Sequence, residues 1–280
     1  MEKQWQTIIK PKTRLLDLKL KELAQYKDLI FMFVKRSFAS QYKQTILGPL
    51  WFIINPIITS GLYTLVFGGI AKISTDGVPQ FVFYMAGNTV WQYFAACITG
   101  TSNTFTANSA IFGKVYFPRL TMPISTIIYS LVSFAIQFVM LVCVMIYYAF
   151  NGENIHPNIC ILLIPVMIIH MAVLGLGFGI IISSLTTKYR DLQILVGFGV
   201  SLWMYITPVV YPVSTLSGTA KSLIMLNPMT PIVNNFKYAL LGCGQFEWGW
   251  WGVSGIVTIV VLALGVILFN RVEKTFMDTV

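Results

Sequence analysis

Residues 122–149 read MPISTIIYSLVSFAIQFVMLVCVMIYYA, a run without a single Lys, Arg, Asp or Glu. Crossing the roughly 30 Å hydrocarbon layer takes about 20 apolar residues at 1.5 Å each, and in lipid a helix satisfies its own backbone polar groups. The run therefore reads as a membrane-spanning helix. Five further stretches share its character: Ile46 to Ala71, Phe81 to Gly100, Asn158 to Ser184, Gln193 to Tyr211 and Gly249 to Phe269. None holds a charged residue, although the chain carries 19 basic and 10 acidic ones. The expected fold class is all-α, a polytopic membrane protein with six spans. Alternation with period two is weak, which argues against an outer-membrane barrel. Composition agrees, at 56% hydrophobic and 10% charged with mean hydropathy +0.74, where soluble domains are about 25% charged.

Basic residues set the orientation, because short cytoplasmic segments collect Lys and Arg. With the N-terminus inside, the cytoplasmic set is Lys3, Lys10, Lys12, Arg14, Lys19, Lys21, Lys27, Lys35, Arg36, Lys43, Lys114, Arg119, Lys188, Arg190, Arg271 and Lys274. Only Lys72, Lys221 and Lys237 fall outside. Both termini are expected in the cytoplasm. The net charge of +9 then reflects topology and anionic lipid headgroups, and nucleic acid is not an expected partner.

The chain divides into a cytoplasmic tail with an amphipathic interface helix, residues 1–45, and a transmembrane domain, residues 46–280. No cleavable signal peptide is visible, since the first apolar run follows a long basic segment. In the tail Leu16, Leu20, Leu23, Tyr26, Ile30 and Phe33 recur at three- and four-residue steps, the pattern of a helix lying in the interface plane. It serves as an anchor or as a docking surface. Ser222 to Gly242 is long enough for a seventh span. Its Pro228, Pro231, Asn227, Asn234, Asn235 and Lys237, with the breaks at Thr207-Pro208 and Tyr211-Pro212, read better as external re-entrant or interfacial helices between spans five and six.

Chemistry is sparse. Cys97, Cys143, Cys160 and Cys243 match no zinc or redox spacing, and no metal site is expected. His170 lies inside the fourth span, where an ionisable group invites a functional reading, yet no acidic partner sits in any span. Gly175, Gly177, Gly179, Gly197 and Gly199 lie mid-span, where small residues permit close helix packing rather than nucleotide binding. No Gly-x-x-x-x-Gly-Lys-Ser/Thr occurs, so any ATP-driven work is expected from another chain. Ion-coupled transport and intramembrane hydrolysis need carboxylates, ion ligands or acid and base groups within the spans. The absence of charge there favours a conduit. Aromatic side chains are its most conspicuous content: Trp51, Tyr63, Phe67, Trp91, Tyr93, Tyr129, Trp203, Tyr205 and Tyr211. Some form the interfacial belt. Trp51, Tyr63, Phe67, Trp91, Trp203, Tyr205 and Tyr211 are the candidates to line a channel, where flat rings meet sugar C–H surfaces without a tight ionic site.

Several motifs remain, in order along the chain. The first span is entered through Tyr42-Lys43-Gln44-Thr45, then Leu47-Gly48-Pro49-Leu50-Trp51 and Pro56. A cytoplasmic loop carries Lys114 and Phe117-Pro118-Arg119, with Pro123 opening the next span. A second loop carries Tyr189-Arg190-Asp191, and the external region has Thr207-Pro208-Val209-Val210-Tyr211-Pro212 and Asn227-Pro228-Met229-Thr230-Pro231. This set resembles the permease subunit of type 2 ATP-binding-cassette exporters of polysaccharides, a family that moves O antigens, capsular polymers and teichoic acids. The similarity covers nearly the whole chain, and the C-terminal Arg271 to Asp278 tail is most like the O-antigen branch.

The resemblance implies an inner-membrane homodimer whose two copies form a polymer channel, each docked on a separate ATPase subunit that binds ATP and Mg. No cofactor is expected in this chain. The substrate implied is a glycan on a polyprenyl diphosphate lipid. The family's amphipathic helix corresponds to Arg14 to Lys35, its gate or coupling helix to about Asn103 to Arg119, and its paired external helices to about Val213 to Gly242. Lys35, Arg36, Lys43 and Arg119 become candidates for the lipid diphosphate. Lys114, Phe117, Pro118, Arg119, Tyr189, Arg190 and Asp191 become candidates for ATPase coupling. Two rivals stand beside this reading: a small-molecule exporter of the same architecture, and a membrane glycan-modifying transferase. The transferase would need His or carboxylates clustered near one membrane face, whereas Asp76, Glu153 and Glu247 are isolated in sequence.

Overall fold

The computed structural model describes residues 20–42, 47–189 and 191–279. Among the described residues there are twelve α-helices and no strand: α1 (Leu20–Gln25), α2 (Lys27–Tyr42), α3 (Trp51–Tyr63), α4 (Gln80–Thr101), α5 (Thr104–Ala107), α6 (Ser109–Phe112), α7 (Thr121–Phe150), α8 (Ile164–Thr186), α9 (Leu192–Ile206), α10 (Gly218–Met225), α11 (Met229–Leu241) and α12 (Trp248–Thr279). Four helical segments are long and apolar enough to cross a membrane: Gly48–Ile70, Thr121–Phe150, Ile159–Thr186 and Trp248–Glu273. The protein is a multi-pass membrane protein. The other two expected spans are helical but differ in kind.

The second is α4, 22 residues long and so about 33 Å. It is the centre of the bundle, packed against α3, α7, α8, α9 and α11. Val82 to Trp91 is buried without interruption, so the polar Asn88 and Thr89 meet protein rather than lipid. The fifth, α9, has 15 residues, or about 22 Å, too short for the hydrocarbon layer alone. It was expected to run to Tyr211 but ends at Ile206. Thr207 is extended, with ψ 140°, the conformation that a following proline imposes.

The N-terminal amphipathic segment also differs from expectation. Helix is broken at Tyr26 and resumes as α2, which continues past Lys35 to Tyr42; residues 14–19 lie outside the described residues. Its apolar side packs against the bundle. Leu23, Ile30 and Phe33 are buried in a cluster with Phe105, Phe112, Phe117 and Phe269, and α2 lies along α7. The expected coupling helix, Asn103 to Arg119, is two single turns, α5 and α6, followed by non-helical chain to Pro118. Asn108, with φ −116°, forms the break between them.

Small residues draw α8 into its neighbours. A Cβ on Gly175 would sit 2.6 Å from Cys97 Cβ, and one on Gly177 would sit 3.0 Å from Val261 Cγ1 and 3.1 Å from the Leu262 amide nitrogen, while one on Gly179 would collide with the Thr101 side chain. These three glycines set the α4, α8 and α12 spacing, as their pattern predicts. Gly197 and Gly199 do not share that role, because nothing lies within 4 Å of a Cβ at either.

Beyond α9 the chain folds into α10 and α11, broken at Asn227-Pro228 rather than crossing as one helix. The 13 residues of α11 are too few to span, and most of them are buried by protein. It is held by the His156 amide donating to Leu241 O at 3.2 Å and the Asn158 amide donating to Ala239 O at 3.0 Å. Ser214 Oγ donates to Asp76 Oδ1 at 2.7 Å, and Lys221 pairs with Glu247 at 3.2 Å, tying the loops at this end.

Gly179→Val should lower stability by about 1–3 kcal/mol, the usual cost of overpacking. Gly197→Ala should leave it nearly unchanged. Thermal unfolding of the two purified variants checks the contrast.

Candidate transport path and coupling surface

The aromatic residues proposed for the channel separate into two groups. Tyr63, Phe67, Trp91 and Trp203 are brought together, with Tyr84 and Phe94, where α3, α4 and α9 converge. Tyr63 lies 5.7 Å from Phe67 and 6.4 Å from Tyr84, and its hydroxyl donates to Met204 Sδ at 3.3 Å. Trp203 lies 6.3 Å from Trp91 and 5.3 Å from Phe94. Trp91 is only 3% exposed. Trp51 and Tyr205 point outward, at 49% and 55% exposure, and the half-buried Tyr211 donates its hydroxyl to Ile206 O at 3.1 Å. On α9 the exposed residues Gln193, Gly197, Ser201 and Tyr205 recur every fourth position and make one polar stripe. Along its flank Ile194, Phe198 and Leu202 are exposed and apolar.

The proline-rich motifs are wired to this aromatic group. Trp203 Nε1 donates to Asn227 Oδ1 at 3.0 Å, and Asn227 Nδ2 donates to Thr207 Oγ1 at 2.9 Å. The non-helical chain after α9 carries carbonyls without helical partners, and Lys237 supplies donors to two of them. Its Nζ donates to Pro208 O and Val209 O at 2.8 Å each and stands 3.6 Å from the centre of the Phe83 ring. A Cβ on Gly87 would lie 2.6 Å from Val209 O and 2.9 Å from Lys237 Cε, so the close approach needs glycine there. Sequence reading saw Lys237 only as one more external cation. Nothing in its spacing announces burial.

At the opposite end Arg119 is committed within the chain. Its Nη1 donates to Glu273 O at 2.8 Å, its Nε lies 4.0 Å from Glu273 Oε1, and its guanidinium carbon is 5.5 Å from the Phe112 ring centre. Phe117 packs 5.8 Å from Phe33 and 5.6 Å from Phe112, and Pro118 is buried beside it. The loop carrying Lys114 is thus fastened to the interface helix and to the end of α12. Thr186 Oγ1 donates to Ser102 O at 2.9 Å, which sets the bases of the two candidate coupling loops side by side. Lys35, Arg36, Lys114, Tyr189 and Asp191 are exposed, with Lys188 Nζ 5.3 Å from the Tyr189 ring centre. Lys43 and Arg190 lie outside the described residues.

His170 does packing work. Its Nδ1 accepts from Trp251 Nε1 at 3.0 Å, which leaves the proton on Nε2, 2.8 Å from Thr258 Oγ1. Both ring nitrogens are occupied in linking α8 to α12. The imidazole has no free position for acid or base chemistry.

Residues 28–241 match the ABC-2 type transporter family. The chain belongs to that family. This ABC-2 transporter chain is similar to an O-antigen export system permease protein of Myxococcus xanthus, 30% identical over 222 residues, covering 78% of this chain and 82% of the relative. Two permease proteins of the same description from Klebsiella pneumoniae are each 24% identical, over 266 residues (94% of this chain, 99% of the relative) and 253 residues (90% and 94%). The family assignment makes the chain a transporter membrane component.

Burial pushes Lys237 down to about 7, while the charges of Cys243 and Asp76 act the other way. The unfolded chain keeps the proton up to the ordinary value of 10.5. Unfolding therefore takes up a proton between those limits, and this lysine makes stability rise with pH across the window and fall as pH drops through 7. Lys237→Met should flatten that slope and cost about 1–3 kcal/mol, because Pro208 O and Val209 O lose their donors. Unfolding temperatures of both proteins from neutral to alkaline pH test both effects.

Proposed function

We propose that this chain is the channel-forming permease of an ATP-driven exporter that moves a polyprenyl-diphosphate-linked polysaccharide of O-antigen type outward across a bacterial inner membrane. The observation that carries the proposal is the near full-length similarity to O-antigen export system permeases, joined to apolar stretches without a charged residue. In this reading α3, α4, α7, α8, α9 and α12 cross the membrane, both termini are cytoplasmic, and α10 with α11 caps the outer face. Two copies of the chain join, and two ATPase chains dock on the cytoplasmic side and supply ATP and Mg.

The exposed stripe Gln193, Gly197, Ser201 and Tyr205 on α9 supports a wet path along that helix. A polar stripe facing hydrocarbon would be costly. Trp51 and Tyr205, the most exposed of the candidate rings, face the moving glycan. The buried group around Trp91 and Trp203 backs the wall and fixes the external break through Asn227. ATP-driven closure pushes on the Lys114 to Arg119 loop and the Tyr189 to Asp191 loop, and the Arg119 to Glu273 contact passes the movement to α12. Lys35, Arg36 and Lys43 hold the lipid diphosphate at the cytoplasmic interface, with Arg119 at the junction of the two roles.

The test is isolation of the tagged protein from its native membrane, followed by ATPase assay with and without lipid-linked glycan. A co-purifying ATPase stimulated by that glycan is expected. A protein that emerges alone and chemically alters the lipid would replace this reading with a membrane transferase. Arg119→Glu should abolish export while the assembled dimer persists. Full export by that variant would remove Arg119 from coupling and from headgroup binding together.

A further inference from the structure

Between α3, α4 and α7, with the end of α2 beside them, lies a cavity of about 450 Å3 that no described residue of α9 lines. Clefts of roughly 300–1,000 Å3 hold most small ligands. Its polar lining includes Gln41, Asn55, Gln92, Ser130, Ser133 and Gln137, and its aromatic face includes Trp51. Among the described residues no Lys, Arg, Asp or Glu lines it. Gln92 stands about 14 Å along α4 from the Thr101 end, and Gln137 about 24 Å along α7 from Thr121. The cavity therefore reaches from the Thr101 end of the bundle toward its middle.

The polar groups there are under-used. Gln137 Oε1 is buried with no hydrogen-bond partner among the described residues. Gln92 makes only a long contact, Nε2 to Asn88 Oδ1 at 3.4 Å. Amides cost free energy in hydrocarbon unless something polar meets them. Four amide side chains, Gln41, Asn55, Gln92 and Gln137, offer donors and acceptors together beside an indole ring. That combination suits a neutral polyol: hydroxyls exchange hydrogen bonds with the amides, and the C–H face of a pyranose lies on Trp51. It suits neither a phosphate nor an ammonium group.

A second cavity, of about 390 Å3, adjoins at the cytoplasmic end and shares Gln41 with the first. It is lined by Arg36, Ser40, Ser125 and Thr126, a cation among hydroxyls. The sequence of environments runs from cationic to neutral and amide-rich along one groove.

We propose that the cavity between α3, α4 and α7 binds the uncharged sugar headgroup of a membrane glycolipid. The orientation rests on the proposed function, in which this end faces the cytoplasm. A glycan-diphosphate lipid then places its first sugar among Asn55, Gln92 and Gln137, and its diphosphate at Arg36. The groove recognises the lipid-proximal sugar before the polymer moves to the path along α9.

The protein in nanodiscs, without ATPase, is irradiated with a dodecyl glucoside carrying a diazirine, and labelled peptides are identified. Labels on α3, α4 and α7, displaced by octyl glucoside but not by free glucose, are expected. Gln92→Leu and Gln137→Leu should each weaken labelling about fivefold, the size of one lost hydrogen bond. Displacement by free glucose would make this a soluble-sugar site and overturn the lipid assignment. Labelling that a diazirine phosphatidylcholine matches and no glucoside displaces would show an ordinary lipid crevice and overturn the proposal altogether. The competition on unaltered protein decides even where a variant misfolds. Neither overturning result touches glycan-stimulated ATPase activity, so failure here is distinct from failure of the exporter reading.

Discussion

Hydrocarbon offers no partner to a polar group, and the rest of this structure is arranged around that constraint. Charge is confined to the ends of the apolar helices. Polar residues that lie at depth include those on α4, which is encircled by protein, those on the walls of the cavity beside it, and His170 paired with Thr258 and Trp251 between α8 and α12. A central polar helix needs close neighbours. Gly175 and Gly179 provide them by letting α8 approach Cys97 and Thr101, and Gly177 does the same for α12.

The same constraint explains the external end. A helix of 15 residues leaves its last carbonyls short of water, and Pro208 cannot continue the hydrogen-bond ladder. Tyr211 meets the carbonyls of Tyr205 and Ile206, a buried lysine from α11 takes those of Pro208 and Val209 just beyond the helix, and Asn227 ties the extended segment to Trp203. The two proline motifs that look like separate signatures in the sequence are halves of one joint. At the other end the equivalent fastening is Arg119 on Glu273, which joins the loop before α7 to the tail of α12. The bundle is thus clamped at both ends, while α9 itself is exposed along most of its length.

Much was legible from pattern alone. Apolar runs gave the six main helices, because burial in lipid needs only length and the absence of charge. The N-terminal amphipathic periodicity located Leu23, Ile30 and Phe33 correctly as one apolar face, and those three are buried. The close-packing role of Gly175, Gly177 and Gly179 also followed from spacing. Resemblance to polysaccharide exporters supplied the family, which residues 28–241 match.

What the sequence determined by itself was an all-helical membrane protein and its apolar stretches, from composition and run length, and its family, from the resemblance of its motifs. Those properties are local, since each helix closes its own hydrogen bonds and each apolar run reports on its own surroundings. Tertiary structure alone decided that Lys237 is buried on two carbonyls, that Arg119 is held by Glu273, and that Gln41, Asn55, Gln92 and Gln137 face one cavity. These depend on partners 28 to 154 residues apart in sequence or on four separate helices. No periodicity within one segment encodes a contact whose other half lies in another.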